Sequence, residues 1–324
     1  MAGQADLTPA GSVGEEPLAV RLGGLCLPNP IIAASGTFGF GPEYAPFVRL
    51  SRLGAVAVKG VSLDPWPGNP PPRVWETPAG LLNSIGLQNP GVEVFCRDDL
   101  PFLRQAGTRV VVNIIGKTVE EYARVAERLE REAGIDALEV NISCPNVKEG
   151  GIAFGQDPEH AALVTRAVRA VTDRPLIVKL SPNVSDPVAI AQAVAEAGAD
   201  ILSAINTVVG MAIDLERLRP ALGAVTGGLS GPAIKPIALR IVYEVSQAVG
   251  IPVIGIGGIE TAEDVLEFLV AGASAVMVGT VTFRHPRRME EIIEALPALL
   301  RRHGFRSVNE AVGAAWPGRS GGGR

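Results

Sequence analysis

Cysteine, histidine and lysine are scarce in this 324-residue chain, with three, three and five copies. Cys26, Cys96 and Cys144 stand far apart and form no C-x-x-C pair. That spacing writes neither a disulfide framework nor a zinc or iron–sulfur site, and it suits a reducing cytoplasm. No stretch approaches the roughly twenty apolar residues of a membrane span. Nor do the first seventeen residues show a basic start followed by an apolar run, so a soluble, cytoplasmic protein without a membrane partner is expected. Charge of neither sign dominates: 29 Lys and Arg against 34 Asp and Glu leave a net charge of -5. The arginines are scattered among the acids, which argues against a nucleic-acid groove and favours small-molecule chemistry. A G-x-G-x-x-G strand–helix unit, the usual dinucleotide signature, is also missing.

What the chain has is apolar content, 47% of its residues, enough to bury a large core in one main domain. Short apolar runs recur at 31–34, 55–59, 110–114, 137–141, 176–179, 201–205, 253–256 and 275–278. They read as eight buried parallel strands. Helical patterns separate most of them, at 158–171, 187–197, 233–249 and 287–302. Thr118 with Glu121 reads as a capping box, opening a helix whose apolar face is Val119, Tyr122, Ala126, Leu129 and Ala133, and Thr261 opens another helix in a similar way. This β-then-α rhythm, repeated eight times, predicts an α/β fold, a (β/α)8 TIM barrel. An N-terminal hairpin around Gly23-Gly24 should cap one end, with Cys26 packed rather than reactive. Residues 1–17 and 311–324 read as disordered or flexible tails flanking a catalytic domain at 18–310. The connections 60–109 and 206–232 are too long for simple loops and should help build a site, while the glycine-rich stretch 148–155 could serve as a lid.

Barrels of this kind place their chemistry at the C-terminal strand ends. Ser35, Lys59-Gly60, Asn113, Asn141, Lys179, Asn206-Thr207, Gly257-Gly258 and Gly279-Thr280 fall there. Two of the five lysines end apolar strands, where a buried charge needs a partner. The strand-end residues include no Asp or Glu, so an anionic ligand is expected. Glycines after the seventh and eighth strands would aim backbone N–H groups at a phosphate. The asparagines can donate and accept hydrogen bonds without changing charge, as an amide-rich heterocycle requires. Cys144 follows a buried strand in Asn141-Ile142-Ser143-Cys144-Pro145-Asn146, and Pro145 ends regular structure just beyond it. That segment alone leaves an inert buried thiol open. Together, the parts fit flavin-dependent dehydrogenation better than hydrolysis.

The same segment, with Asn83-Ser84-Ile85-Gly86-Leu87-Gln88-Asn89-Pro90-Gly91, Ala204-Ile205-Asn206-Thr207, Gly228-Leu229-Ser230-Gly231 and Gly257-Gly258-Ile259, resembles the class 1 dihydroorotate dehydrogenases. The resemblance implies an FMN-bound barrel that oxidises dihydroorotate to orotate in pyrimidine biosynthesis. It implies FMN contacts from Ser35, Lys59, Gly60, Asn113, Asn141, Lys179, Ile205, Gly231, Gly257, Gly258, Gly279 and Thr280. Substrate would be held by Lys59, Asn83, Ser84, Ile85, Gly86, Leu87, Asn141, Asn146, Asn206 and Thr207, with Cys144 as general base. Val147-Lys148-Glu149-Gly150-Gly151 and the run 208–214 look like the B type, which uses NAD through a second subunit bearing FAD and an iron–sulfur cluster. A homodimer within a heterotetramer is therefore expected. The alternatives are the fumarate-using A type, a barrel aldolase with a Schiff base on Lys179, and a non-catalytic binding barrel.

Overall fold

The computed structural model describes residues 16–142, 148–149 and 152–318. Eight parallel strands close into a barrel: β1 (Ile31–Ala33), β2 (Ala55–Val61), β3 (Arg109–Ile114), β4 (Ala137–Asn141), β5 (Leu176–Leu180), β6 (Ile201–Ala204), β7 (Val253–Ile256) and β8 (Ala275–Val278). Each pairs with the next in sequence, and β8 closes on β1. Almost every strand residue is buried, as expected for strands with the barrel interior on one face and helices on the other. The expected runs therefore lie on real strands, three of them with the same ends and five with one end shifted by one or two residues.

Six main helices follow: α1 (Val119–Glu130), α2 (Pro158–Arg169), α3 (Pro187–Glu196), α4 (Lys235–Ala248), α5 (Ala262–Ala271) and α6 (Arg288–Arg302). Thr118, Asp157, Asp186 and Thr261 cap four of them, each accepting the N–H three residues on. Thr261 and Asp264 form a reciprocal box. The Thr118 box is one-sided, because the Glu121 carboxylate accepts instead from the Lys117 N–H at 2.6 Å. Ala133 lies beyond the end of α1 and is exposed, and Val125 takes the remaining place on the buried face.

Strand Val20–Leu22 pairs with Leu25–Leu27 in the expected hairpin, turning through Gly23 at φ 47° and Gly24 at φ 90°. A Cβ on Gly23 would fall 2.7 Å from the Asp200 carbonyl oxygen, next to the start of β6, so the hairpin sits at the N-terminal end of the barrel. Cys26 corrects the sequence reading: it is exposed. Period-two alternation explains this, since Leu25 and Leu27 point inward and the residue between them points out.

The two long connections meet. Val74–Thr77 and Gly80–Asn83 from the first join Val208–Gly210 and Gly227–Ser230 from the second in one four-stranded antiparallel sheet, with Gly228 opposite Asn83. Packed structure also extends past residue 310, where the sequence reading places a flexible tail. Ala311 is fully buried, and the N–H groups of Gly313, Ala315 and the Trp316 indole donate to the carbonyls of Leu269, Val270 and Ala271. These are the last carbonyls of α5, for which the helix offers no N–H four residues on; that of Leu269 also accepts from the C-cap Gly272 N–H. Pro17 is likewise tied down, its carbonyl accepting from Val308 N–H. Residues 1–15 and 319–324 lie outside the described residues.

Candidate active site

A cavity open to solvent, with about 600 Å³ of empty space counting the solvent at its mouth, lies over the C-terminal ends of the strands. One end is lined by backbone: Gly257 and Gly258 after β7, Gly279 and Thr280 after β8, and Gly231 before α4. Glycine is required here twice over. Gly258 has φ 72°, and a Cβ on it would lie 2.8 Å from Lys235 Cβ and 2.9 Å from the Gly231 carbonyl oxygen. A chain drawn this close exposes its peptide groups, the cradle an anion needs. The Thr280 hydroxyl donates to Ser230 Oγ at 2.8 Å. Ser230 lines the cavity but was not among the expected site residues, although the Gly-Leu-Ser-Gly run carries it.

At the other end stand Lys179, Ile205, Asn206 and Thr207. The Lys179 ammonium on β5 is buried and donates to Ser35 Oγ at 3.2 Å. Gly36, beside it, faces open space: nothing lies within 4 Å of where its Cβ would be. The strand ends hold no carboxylate, as read from the sequence, yet one stands near Lys179 from inside a strand. Glu139 of β4 lies one layer below the strand ends, fully buried, with Oε2 3.9 Å from Lys179 Nζ. It also accepts from Asn113 Nδ2 at 2.6 Å and from Ser203 Oγ at 2.7 Å.

Lys59 and Gly60 are placed by a bulge. Val58 pairs with Val112 and Val61 with Ile114, so two residues of β2 oppose the single Asn113 of β3. Such an insertion re-aims side chains at a strand end. A Cβ on Gly60 would approach Asn113 Oδ1 to 3.0 Å. Burial depresses the pKa of Lys59, the Glu43 carboxylate opposes that shift, and the Arg73 charge adds to it.

Asn141 ends β4. Its carbonyl accepts from the Tyr122 hydroxyl at 2.7 Å and its Oδ1 from Asn206 Nδ2 at 3.4 Å. Thr207 N–H donates to the Asn206 side chain at 2.8 Å. Asn183, absent from the expected set, secures this corner by donating to the Thr207 carbonyl and accepting from Val209 N–H. Thr207 packs against Gly228, where a Cβ would fall 2.0 Å from its hydroxyl oxygen. Gly228 in turn accepts through its carbonyl from Asn83 Nδ2, bringing the Asn83 segment to the same side.

That segment is held from beneath. Asn69 Nδ2 donates to Ser84 Oγ, and Asn69 N–H to the Ile85 carbonyl. Gly86 and Leu87 both have positive φ, 71° and 55°. Leucine rarely adopts that conformation, and Asn89 Nδ2 fixes it by donating to the Leu87 carbonyl at 2.9 Å. Cys144, Asn146, and Gly150 and Gly151 of the stretch expected to serve as a lid lie outside the described residues. Of the expected residues, Gly231, Gly257, Gly258, Gly279 and Thr280 line the cavity at the glycine cradle and Lys179, Ile205, Asn206 and Thr207 line the rest. Hydrogen bonds join Ser35 to Lys179 and Asn141 to Asn206, while Lys59, Gly60, Asn113 and residues 83–87 do not line it. This donor set fits a cofactor with a phosphate tail and an imide-bearing ring.

The dihydroorotate dehydrogenase family model matches residues 17–300. The protein named dihydroorotate dehydrogenase B (NAD(+)), catalytic subunit, of Geobacillus kaustophilus is 58% identical over 299 residues, 92% of this chain and 96% of its own. The protein of the same name from Anoxybacillus flavithermus is 57% identical over 299 residues, again 92% and 96%. Another so named, from Pelobacter propionicus, is 56% identical over 297 residues, 92% and 98%. Similarity of this extent runs through every strand of the barrel, and the chain belongs to the dihydroorotate dehydrogenase family.

Proposed function

We propose that this chain is the catalytic subunit of an NAD-linked dihydroorotate dehydrogenase, oxidising dihydroorotate to orotate in pyrimidine biosynthesis with FMN as its cofactor. The observation that carries the reading is one cavity with a glycine cradle after β7 and β8 at one end and the buried Lys179 at the other. Bound there, FMN would supply the acceptor for a hydride. Gly257, Gly258, Gly279 and Thr280 would hold its phosphate, and Ser35, Lys59, Gly60, Asn113, Asn141, Lys179, Ile205 and Gly231 the rest.

Oxidation leaves a double bond between C5 and C6 of the substrate: C5 loses a proton and C6 a hydride. Cys144 takes the proton. A free thiol has a pKa near ~8.5, so only a minority is thiolate at neutral pH and positioning must supply much of the rate. The carboxamides of Asn83, Asn141, Asn146 and Asn206, with Thr207, Lys59 and the 84–87 segment, orient the ring. The Lys179 charge favours the negative charge that builds up on reduction.

A partner subunit carrying FAD and an iron–sulfur cluster would take the electrons on to NAD, in a heterotetramer built on a dimer of this chain. The relatives' names, which call them catalytic subunits, support a partner. So does the exposure of large apolar side chains, 78% for Leu215 and 83% for Leu218, in the turn of the two-stranded hairpin that pairs Ile213–Asp214 with Arg219–Pro220. The fumarate-using alternative is set aside, because these relatives bear the NAD-linked name. The same names leave the aldolase and the non-catalytic barrel without support.

The purified chain is expected to be yellow with a flavin spectrum and to bleach on anaerobic mixing with dihydroorotate. Cys144→Ala should keep the flavin and bleach at least 100-fold more slowly, roughly the contribution of a general base. A colourless wild-type protein that takes up no FMN would overturn the reading.

A further inference from the structure

The interior of a (β/α)8 barrel is normally filled by apolar side chains in layers, yet a carboxylate sits in this one. Glu139 is fully buried, and each of its contacts comes from a different strand: Asn113 from β3, Lys179 from β5 and Ser203 from β6. Burying a carboxylate costs several kcal/mol unless partners compensate for lost water. We propose, on the flavin-binding reading above, that Glu139 is a positioning residue: it sets which edge Asn113 shows the cofactor ring and moderates the charge that Lys179 brings to it.

The first half follows from hydrogen-bond chemistry. An ionised carboxylate only accepts, whereas an amide has one donating and one accepting end. Asn113 sits directly opposite Glu139 in the β3–β4 pairing and gives it Nδ2 at 2.6 Å. Its Oδ1 is thereby left on the side of the Lys59–Gly60 bulge. A fixed acceptor matches the N–H of an imide edge, which stands between two carbonyl oxygens. With a neutral acid or an amide at position 139, Asn113 could turn over and show its NH₂ group.

The second half is electrostatic. Glu139 Oε2 lies 3.9 Å from Lys179 Nζ, so the pair brings far less net charge to the ring than the lysine alone. Reduced flavin carries a negative charge that a bare cation would favour. Glu139 therefore holds the flavin potential below the value Lys179 alone would set.

The test compares wild type, Glu139→Gln and Glu139→Asp as purified holoproteins. Flavin potential is read by dye equilibration, and FMN loss by the rise in fluorescence on dilution. Glu139→Gln should raise the potential by at least tenfold in the equilibrium constant, about 30 mV for a two-electron couple, and release FMN several-fold faster. Glu139→Asp keeps the charge but withdraws it from Asn113, so FMN should leave faster with the potential near wild type. A Gln variant with wild-type potential and FMN retention would overturn the proposal. If the Gln variant does not fold, wild-type FMN retention in the Asp variant does the same, and failure of both to fold would make Glu139 a core residue only. A wild-type chain that binds no flavin would instead refute the functional reading on which the proposal rests.

Discussion

Asn89 governs a site from outside it. Its Oδ1 accepts from Ser62 N–H, Ser62 Oγ and Gly91 N–H, while its Nδ2 donates to the Leu87 carbonyl. Its backbone pairs with Trp66 in both directions, tying the Pro-rich part of the first insertion to the substrate segment. Asn89→Ala would leave two buried N–H groups without their acceptor, at about 1–3 kcal/mol each. The variant should lose roughly 2–6 kcal/mol in urea unfolding, and the substrate KM should rise. An unchanged unfolding midpoint would show that the clamp is not needed. Cys96 shows the converse, a polar group with no site: burial pushes its thiol up to about 11, the Arg128 charge only partly offsetting it, and it stays inert.

At the scale of elements, the β2 bulge does what a regular strand could not, placing Lys59 and Gly60 together against Asn113. Gly60→Ala would put a methyl group 3.0 Å from Asn113 Oδ1 and 3.2 Å from Ile115 Cγ2. Overpacking of this sort costs about 1–3 kcal/mol, and here it should fall mainly on cofactor retention. FMN should leave the variant several-fold faster on dilution; release at the wild-type rate would mean that Asn113 yields freely. The eight strands were legible in the sequence because a strand buried on both faces must be an apolar run, and the glycines after β7 and β8 because few other residues permit such close approach. The insertion sheet was not. Gly227-Gly228-Leu229-Ser230 and Val74-Trp75-Glu76-Thr77 carry no alternating pattern, and they pair with partners more than a hundred residues apart or across a turn. Glu139 escaped for another reason: inside Ala137-Leu138-Glu139-Val140-Asn141 it looks like a polar interruption, and only closure of the barrel brings its three partners to it.

For the whole molecule the question is where the electrons go. The cavity holds one cradle for a phosphate and one ring-facing end, and both are assigned to FMN and the pyrimidine substrate in the functional reading. Nicotinamide needs a site of its own, and the sequence has no G-x-G-x-x-G strand–helix unit to make one. An iron–sulfur cluster of the common types takes about four cysteine ligands, and this chain has three cysteines, Cys26 on an N-terminal hairpin and Cys96 buried in a helical turn of the first long connection. On the functional reading proposed above, electrons taken from dihydroorotate leave through a protein contact. The isolated chain should accept electrons from dihydroorotate into its flavin in a single turnover and reduce NAD no faster than a flavin-free control. Mixing it with an FAD and iron–sulfur subunit should restore steady NAD reduction, with fumarate inert as an acceptor in both cases. Fast NAD reduction by the isolated chain would sink the two-subunit model, and steady turnover with fumarate would contradict the kinship with the NAD-linked relatives.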